Sequence, residues 1–152
     1  MSSTSSSSAA RDGLGDRGIN RRVALVFGVV YLLVGLAGFL VTGDVGFANP
    51  DGNPLIIFGV NPLHNIVHIL VGVVLLAASR RTASARAANL AIGATYLLLG
   101  IIGLFIADAT NALNIIALNG ADNVLHLFTA LALLAVALGT DKPARRATTA
   151  RA

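Results

Sequence analysis

Two polar stretches combine asparagine, histidine and aspartate at regular spacing, each directly ahead of an apolar run. Both follow the pattern Asn-x-x-x-Asn-x-x-His, at Asn61–His68 and again, 58 residues later, at Asn119–His126. Imidazole and carboxylate groups bind first-row transition ions and exchange protons. Because ionisable groups are costly near a hydrocarbon layer, a pattern used twice indicates either a built site or a device that locks helices together.

A metal site is one interpretation, and it draws on four ionisable side chains. His64 and His68 are four residues apart on one helical face, and the same spacing separates Asp122 from His126. If the two helices meet, three His and one Asp form a tetrahedral set for Zn²⁺ or another divalent transition metal. The side chains that would orient the imidazoles are the asparagines of the same pattern, Asn61, Asn65, Asn119 and Asn123. A variant is haem ligation by His68 and His126, one from each helix.

A polar clasp between helices is the alternative interpretation. In this case His64 and Asp122 form a hydrogen-bonded pair, while the asparagines cap helix ends and bond the preceding loops. Interhelical polar contacts of this kind contribute roughly 0.6 kcal/mol each, and up to about 2 kcal/mol. A path for protons or a small solute is the third alternative. The residue types are compatible with all three.

Composition places these stretches in a membrane protein. The chain of 152 residues is 55% hydrophobic and 12% charged, with a mean hydropathy of +0.78. A typical soluble domain carries about 25% charged residues. The absence of cysteine excludes disulfides, thiolate ligands and a cysteine nucleophile. Since the sequence has no phosphate loop, paired carboxylates or Ser-His-Asp spacing, we expect no enzymatic activity.

The basic residues fall into three clusters, which indicate membrane topology rather than nucleic-acid binding. They are Arg11, Arg17, Arg21 and Arg22, then Arg80, Arg81 and Arg86, then Lys142, Arg145, Arg146 and Arg151. Each apolar stretch between them is long enough for two crossings of about 20 residues. The positive-inside rule places all three clusters, and therefore both termini, in the cytoplasm. The lipid bilayer is the expected partner, nucleic acid is not, and the sequence leaves the identity of any partner protein open.

These patterns predict an all-α integral membrane four-helix bundle. The predicted helices cover about residues 23–41, 62–79, 87–107 and 121–138. Residues 1–22 are predicted to be a disordered cytoplasmic tail and residues 139–152 a basic cytoplasmic tail, leaving 23–138 as the transmembrane domain. The apolar runs 55–60 and 113–118 are too short to span a membrane, so we expect them at the outer interface or folded back into the bundle.

The third predicted helix repeats the first at an offset of 65. The matching residues are Gly28, Tyr31, Gly35 and Gly38 with Gly93, Tyr96, Gly100 and Gly103. Their spacing puts them on one helical face, where small residues let helices approach closely, so we predict a packing stripe. Together with the offset of 58, this indicates two parallel-repeat hairpins, related by a pseudo-twofold axis along the membrane normal. The same twofold packing makes a homodimer an expectation.

The polar stretches and one glycine segment resemble the DUF4383 family, small four-helix membrane proteins of unestablished function, mostly from high-GC bacteria. The resemblance rests on N-P-L-H-N-I-V-H-I-L-V-G at 61–72, Y-L-L-V-G-L-A-G at 31–38 and A-D-N-V-L-H-L at 121–127, and covers about residues 22–140. It implies the four-helix topology and no catalytic assignment. The residues that it implies as a shared frame are Asn61, His64, Asn65, His68, Asp122, Asn123 and His126.

We therefore expect a non-enzymatic structural or accessory protein of a bacterial cytoplasmic membrane. The alternative is a metal- or haem-binding redox or sensor protein that uses the repeated Asn/His pattern. The third possibility is a transporter subunit for protons or a small solute. Such a subunit would have to oligomerise, because four short helices enclose little space.

Overall fold

The computed structural model describes residues 18–141, which form four α-helices and one short β-hairpin. The helices are α1 (Ile19–Gly38), α2 (Pro62–Ala78), α3 (Thr82–Ile106) and α4 (Gly120–Gly139). Strands β1 (Asn53–Leu55) and β2 (Phe58–Val60) pair antiparallel between α1 and α2. The prediction of a helical protein with four helices is confirmed. The predicted tails lie outside the described residues, except for 18–22 and 139–141.

Two helices begin earlier than the sequence predicted. Residues 19–22, predicted as part of the tail, are helical because Asp141 caps the start of α1. Its carboxylate accepts hydrogen bonds from the backbone N–H groups of Ile19 and Asn20, at 3.3 and 2.8 Å. These bonds hold the pKa of the Asp141 carboxyl group below its usual range, and the bond from the backbone N–H of Asn20 has the largest effect. Helix α3 starts at Thr82 instead of residue 87, because only a three-residue turn separates it from α2.

The helices have the composition and the surface of membrane-embedded segments. Helices α1, α3 and α4 are long and apolar enough to cross a membrane, and α2 is apolar with 17 residues. Large apolar side chains lie on their outer surfaces: Leu33, Leu70 and Leu104 are 59%, 58% and 67% exposed. The interior contains asparagines and histidines. This distribution suits an apolar solvent, in which polar groups must find partners inside the protein.

The predicted glycine face lies in the contacts between helices. The helices pack mainly in two sequential pairs, α1 with α2 and α3 with α4. A Cβ atom on Gly35 would collide with Ile69 of α2, and one on Gly100 would overlap Leu127 of α4. The absence of side chains therefore allows the paired backbones to approach closely. This confirms the predicted packing stripe.

Two buried tyrosines connect the helix pairs at their centre. The rings of Tyr31 and Tyr96 meet edge to face, with centroids 5.4 Å apart. The hydroxyl of Tyr31 also lies 2.9 Å from the Thr129 hydroxyl of α4. The tyrosine hydroxyl thus finds a polar partner inside the protein, as a buried tyrosine requires.

Arginines bind the ends of α2 and α4 at equivalent positions of the two pairs. Arg21 Nε donates to the carbonyl of Ser79 at 3.0 Å, and Arg86 Nε donates to that of Ala137 at 2.7 Å. Each bond satisfies a carbonyl that the helix end leaves without an intrahelical partner, and it places a positive charge at the negative end of the helix dipole. The basic residues thus stabilise helix ends in addition to their predicted role in topology.

We predict that Gly38→Ala lowers the free energy of unfolding by about 1–3 kcal/mol, the range typical of overpacking. The reason is that a Cβ atom at this last residue of α1 would overlap the Asn65 carboxamide. Gly139→Ala is the matched control, because it changes the last residue of α4, where a Cβ meets nothing within 4 Å. Unfolding in detergent, followed by circular dichroism, measures both. Equal stability of the two variants would contradict the packing role of Gly38.

Candidate functional site

All three histidines of the chain lie buried together, near the end of the molecule that carries the two long loops. We call this end the loop end; the first loop joins α1 to α2, and the second joins α3 to α4. His64 and His68 belong to the first turns of α2, and His126 belongs to the second turn of α4. One ring nitrogen from each lies within 4.8 Å of the others. The structure thus brings together three of the four predicted metal ligands.

His64 is hydrogen-bonded through both nitrogens of its ring. Its Nδ1 lies 3.1 Å from the carbonyl oxygen of Gly59. Because a carbonyl can only accept, Nδ1 carries the proton of the neutral ring, and Nε2 presents a lone pair. That Nε2 lies 3.0 Å from Nε2 of His68, which donates to it when both rings are neutral. The backbone ahead of α2 therefore sets the tautomer of His64.

His68 and His126 are positioned by aromatic packing. The ring of Tyr31 meets that of His68 edge to face at 5.0 Å, and Tyr96 meets His126 in the same way at 4.9 Å. The Nδ1 atoms of both histidines are buried and have no hydrogen-bond partner within residues 18–141. Each ring therefore retains a nitrogen that is not committed to another group of the described chain.

The predicted hydrogen bond between His64 and Asp122 is wrong, because Gly59 stands between the two side chains. Asp122 Oδ2 accepts from Gly59 N at 2.8 Å, while the carbonyl of Gly59 faces the His64 ring. The same oxygen also accepts from Asn119 N at 3.3 Å. The carboxylate is thus used to cap α4, and Asp122 lies outside the group of three histidines.

Asn61 and Asn119 cap α2 and α4, as the sequence predicted. Asn61 Oδ1 accepts from the backbone N–H of His64 at 2.9 Å. Asn119 Oδ1 accepts from that of Asp122 at 3.0 Å, and Asp122 returns a bond to Asn119, which completes a capping box. Each asparagine satisfies a backbone donor that the first helical turn leaves unpaired.

The same two asparagines connect each helix to the loop ahead of the other. Asn61 Nδ2 donates to the carbonyl of Ile115 in the second loop at 2.9 Å, and Asn119 Nδ2 donates to that of Ile57 in the first loop, also at 2.9 Å. Ile57 and Ile115 differ by the repeat offset of 58. We call this arrangement the cap exchange; it joins the two helix pairs at the loop end.

Asn65 and Asn123 lie against glycines of the neighbouring helices. A Cβ atom on Gly38 would overlap the carboxamide of Asn65, and one on Gly103 would overlap that of Asn123. Asn65 Nδ2 also donates to the hydroxyl of Thr42 at 3.0 Å. In place of the predicted role of orienting the imidazoles, these asparagines thus contact α1, Thr42 in the first loop, and α3.

The comparison with protein-family models supports the resemblance seen in the sequence. The model of a domain of unknown function, DUF4383, matches residues 21–139, which include both polar stretches. The chain belongs to the DUF4383 family. The searches of curated proteins and of solved structures found no match. Functional assignments for this DUF4383 protein therefore rest on its own geometry.

The histidine cluster of the DUF4383 protein fits a single ion better than a haem. His68 and His126 have ring centroids 6.3 Å apart, and the ring of His64 lies 4.3 and 6.0 Å from them. Tyr31 packs against the ring of His68, and Tyr96 packs against the ring of His126. A macrocycle several times wider than an imidazole would have to displace these neighbours, whereas an ion would not.

Three residues of the site have no counterpart in the sequence prediction. Gly59 connects His64 to Asp122, Thr42 binds Asn65, and Thr129 binds Tyr31. Gly59 belongs to the short apolar run 55–60, whose fold the sequence left open. A small residue within such a run is the only sequence feature that indicated a close backbone contact there.

We predict that Asn61→Ala lowers the free energy of unfolding by about 2 kcal/mol or more. The variant removes a helix cap worth about 1 kcal/mol, and it leaves the partly buried carbonyls of Asn49 and Ile115 without the donor that they share. Asn111→Ala is the matched control, since Asn111 Oδ1 also accepts a backbone N–H, from Leu113 at 3.0 Å, but in an exposed turn. Thermal unfolding in detergent compares the two. A larger loss in the control would contradict the role of Asn61 in the cap exchange.

Proposed function

We propose that this DUF4383 protein is a non-enzymatic structural or accessory protein of a bacterial cytoplasmic membrane. The observation that carries the proposal is the cap exchange. Asn61 and Asn119, two of the conspicuous polar residues, bind backbone groups of the opposite loops. Asp122, the acidic residue beside the cluster, is used in the same way. Polar residues that would serve a reaction in an enzyme here hold helices together.

The cavity next to the cluster also favours a non-enzymatic role. It has a volume of about 240 Å³, lies between α1 and α4, and reaches His68 and Tyr31. Its walls are formed mainly by apolar side chains such as Val26, Val30 and Phe128. Substrate pockets normally add several convergent polar groups to apolar walls. An apolar cavity on a membrane-facing surface is better suited to a lipid chain than to a polar substrate.

The architecture proposed for this role is a four-helix bundle of two repeated hairpins. Support comes from equivalent contacts in the two halves. Arg21 and Arg86 bind the ends of α2 and α4, and Asn65 and Asn123 lie against glycines at equivalent positions of α1 and α3. Parallel repeats in membrane proteins are related by an axis along the membrane normal, and that arrangement accounts for these paired contacts.

The proposed orientation has both termini in the cytoplasm. The turn between α2 and α3 carries Arg80 and Arg81, whereas the two loops at the opposite end carry Asp44, Asp51 and Asp108 and contain no basic residue. Short basic segments remain on the cytoplasmic side during insertion. This charge distribution supports an outer location for the loop end and for the cap exchange.

A transport path within one chain receives less support than the structural role. Polar side chains lie at both ends of the helices, with the histidines at the loop end and a hydrogen-bonded pair, Asn20 and Asn89, at the other. Between them the buried described residues are mainly apolar, such as Ala24, Leu75 and Leu133, and the hydroxyls of Tyr31 and Thr129 are bonded to each other. A charged species would find few polar partners while crossing this layer, which is unfavourable.

We predict that single cysteines replacing Asp51 and Asp108 react with a membrane-impermeant maleimide added to intact cells. A cysteine replacing Arg81 should react only after permeabilisation, because it lies at the opposite end of the helices. The chain has no cysteine of its own, so the background is clean. Labelling of Arg81→Cys alone in intact cells would show the orientation to be inverted.

We also predict that liposomes containing the purified protein leak protons at the same rate as protein-free liposomes. The test should cover about pH 5 to 8, where histidine normally titrates, with an entrapped pH dye as the readout. A proton ionophore added at the end verifies that the dye responds. Protein-dependent leakage that disappears in His68→Ala would contradict the structural role and favour transport.

A further inference from the structure

We infer that His64, His68 and His126 bind one divalent first-row transition-metal ion at the loop end. This inference goes beyond the structural role proposed above. The three side chains are buried, and one ring nitrogen of each lies within 4.8 Å of the others. Two of the histidines belong to α2 and one belongs to α4. A shared ion would therefore connect the two helix pairs at the level of the cap exchange.

The spacing of the first two histidines is close to that of two ligands on one ion. Zn–N bonds of about 2.0–2.1 Å at a tetrahedral angle place two ligand nitrogens about 3.3 Å apart. The Nε2 atoms of His64 and His68 are 3.0 Å apart. When an ion takes the place of the shared proton, Nε2 of His68 loses that proton and Nδ1 of the same ring gains one, so the ring stays neutral and a small rotation of either ring makes room for the ion.

His64 already has the supporting contacts that a metal-binding histidine requires. Its Nδ1–H donates to the carbonyl of Gly59 at 3.1 Å, which leaves the Nε2 lone pair free for an ion. Gly59 in turn donates its N–H to Asp122 at 2.8 Å. The carboxylate of Asp122 thus lies one residue away from the cluster, where its negative charge partly offsets that of a buried cation.

The other two histidines can accept an ion without losing contacts through Nδ1. Those Nδ1 atoms, in His68 and His126, are buried and make no hydrogen bond to any described residue. Packing against Tyr31 and Tyr96 holds the rings in place. Because neither Nδ1 atom is bonded to a described group, each ring can carry its proton there and present the lone pair of Nε2 to an ion.

The ligand chemistry selects the class of ion. Neutral imidazoles suit Zn²⁺, Co²⁺, Ni²⁺, Fe²⁺ and Cu²⁺, whereas Mg²⁺ and Ca²⁺ require oxygen ligands. Three protein ligands also leave a fourth position for water or a small exogenous ligand. His68 lines the apolar cavity between α1 and α4 as well as the cluster, so this cavity provides a route to the ion.

The test uses the full chain, purified in mild detergent without a His tag, stripped with chelator and titrated with Co²⁺ as the probe. We expect saturation at one equivalent, with the visible d–d bands of tetrahedral Co²⁺, and loss of these bands when Zn²⁺ is added. Because the ion binds only the folded protein, the thermal transition should rise with the metal concentration.

Variants then identify the ligands. His68→Gln and His126→Gln should weaken Co²⁺ binding by at least about 100-fold, and Asp122→Asn by about 10- to 100-fold, as expected for a supporting contact. Asn111→Ala is the control: it removes a side chain from an exposed turn of the second loop, at the same end of the molecule, and removes no imidazole. It should keep the affinity of the wild type.

Two results would overturn the inference. The first is the absence of d–d bands when wild-type protein is titrated with several equivalents of Co²⁺. Because this measurement uses no variant, a variant that fails to fold cannot affect it. The second is equal affinity of wild type and both histidine variants. Cysteine labelling and proton leakage are measured separately, so a failed metal test would leave the structural role standing.

Discussion

The first turn of every helix has backbone N–H groups that its own carbonyls cannot reach, and an apolar solvent offers them no water. At α2 and α4 this requirement is met by Asn61 and Asn119, whose remaining amide protons bind the loop ahead of the opposite helix. The rest of the loop end depends on this exchange, because it fixes the position of both loops relative to both helices.

The histidine cluster follows from the cap exchange. With the first loop held over α4, Gly59 lies between His64 and Asp122 and bonds to both. The carbonyl of Gly59 sets the tautomer of His64. The backbone N–H groups of Gly59 and Asn119 both donate to the carboxylate of Asp122. The outcome is a group of three buried imidazoles, with the acidic residue held beside it.

The two halves are similar in outline and different in detail. His64 and Asp122 occupy equivalent positions of the polar stretches, yet one faces the cluster and the other caps a helix. Tyr31 bonds to Thr129, whereas the residue equivalent to Thr129 in α2 is Val71, which cannot bond to a tyrosine hydroxyl. These differences leave one asymmetric cluster instead of two copies of one site.

The sequence by itself determined the class of protein, the number of helices, the capping asparagines and the glycine faces. These properties depend on local composition and on spacing within one helix, which sequence patterns express directly. It also identified the three histidines, since their spacing places two on one turn of helix and the third at the repeat offset.

Only the tertiary structure decided what those residues contact. The start of α1 at Ile19 depends on Asp141, 122 positions away in the chain. The removal of Asp122 from the cluster depends on Gly59, and the place of Asn65 depends on Gly38. Each of these contacts joins segments that are distant in sequence, and the folding of the whole chain, not any local periodicity, brings them together.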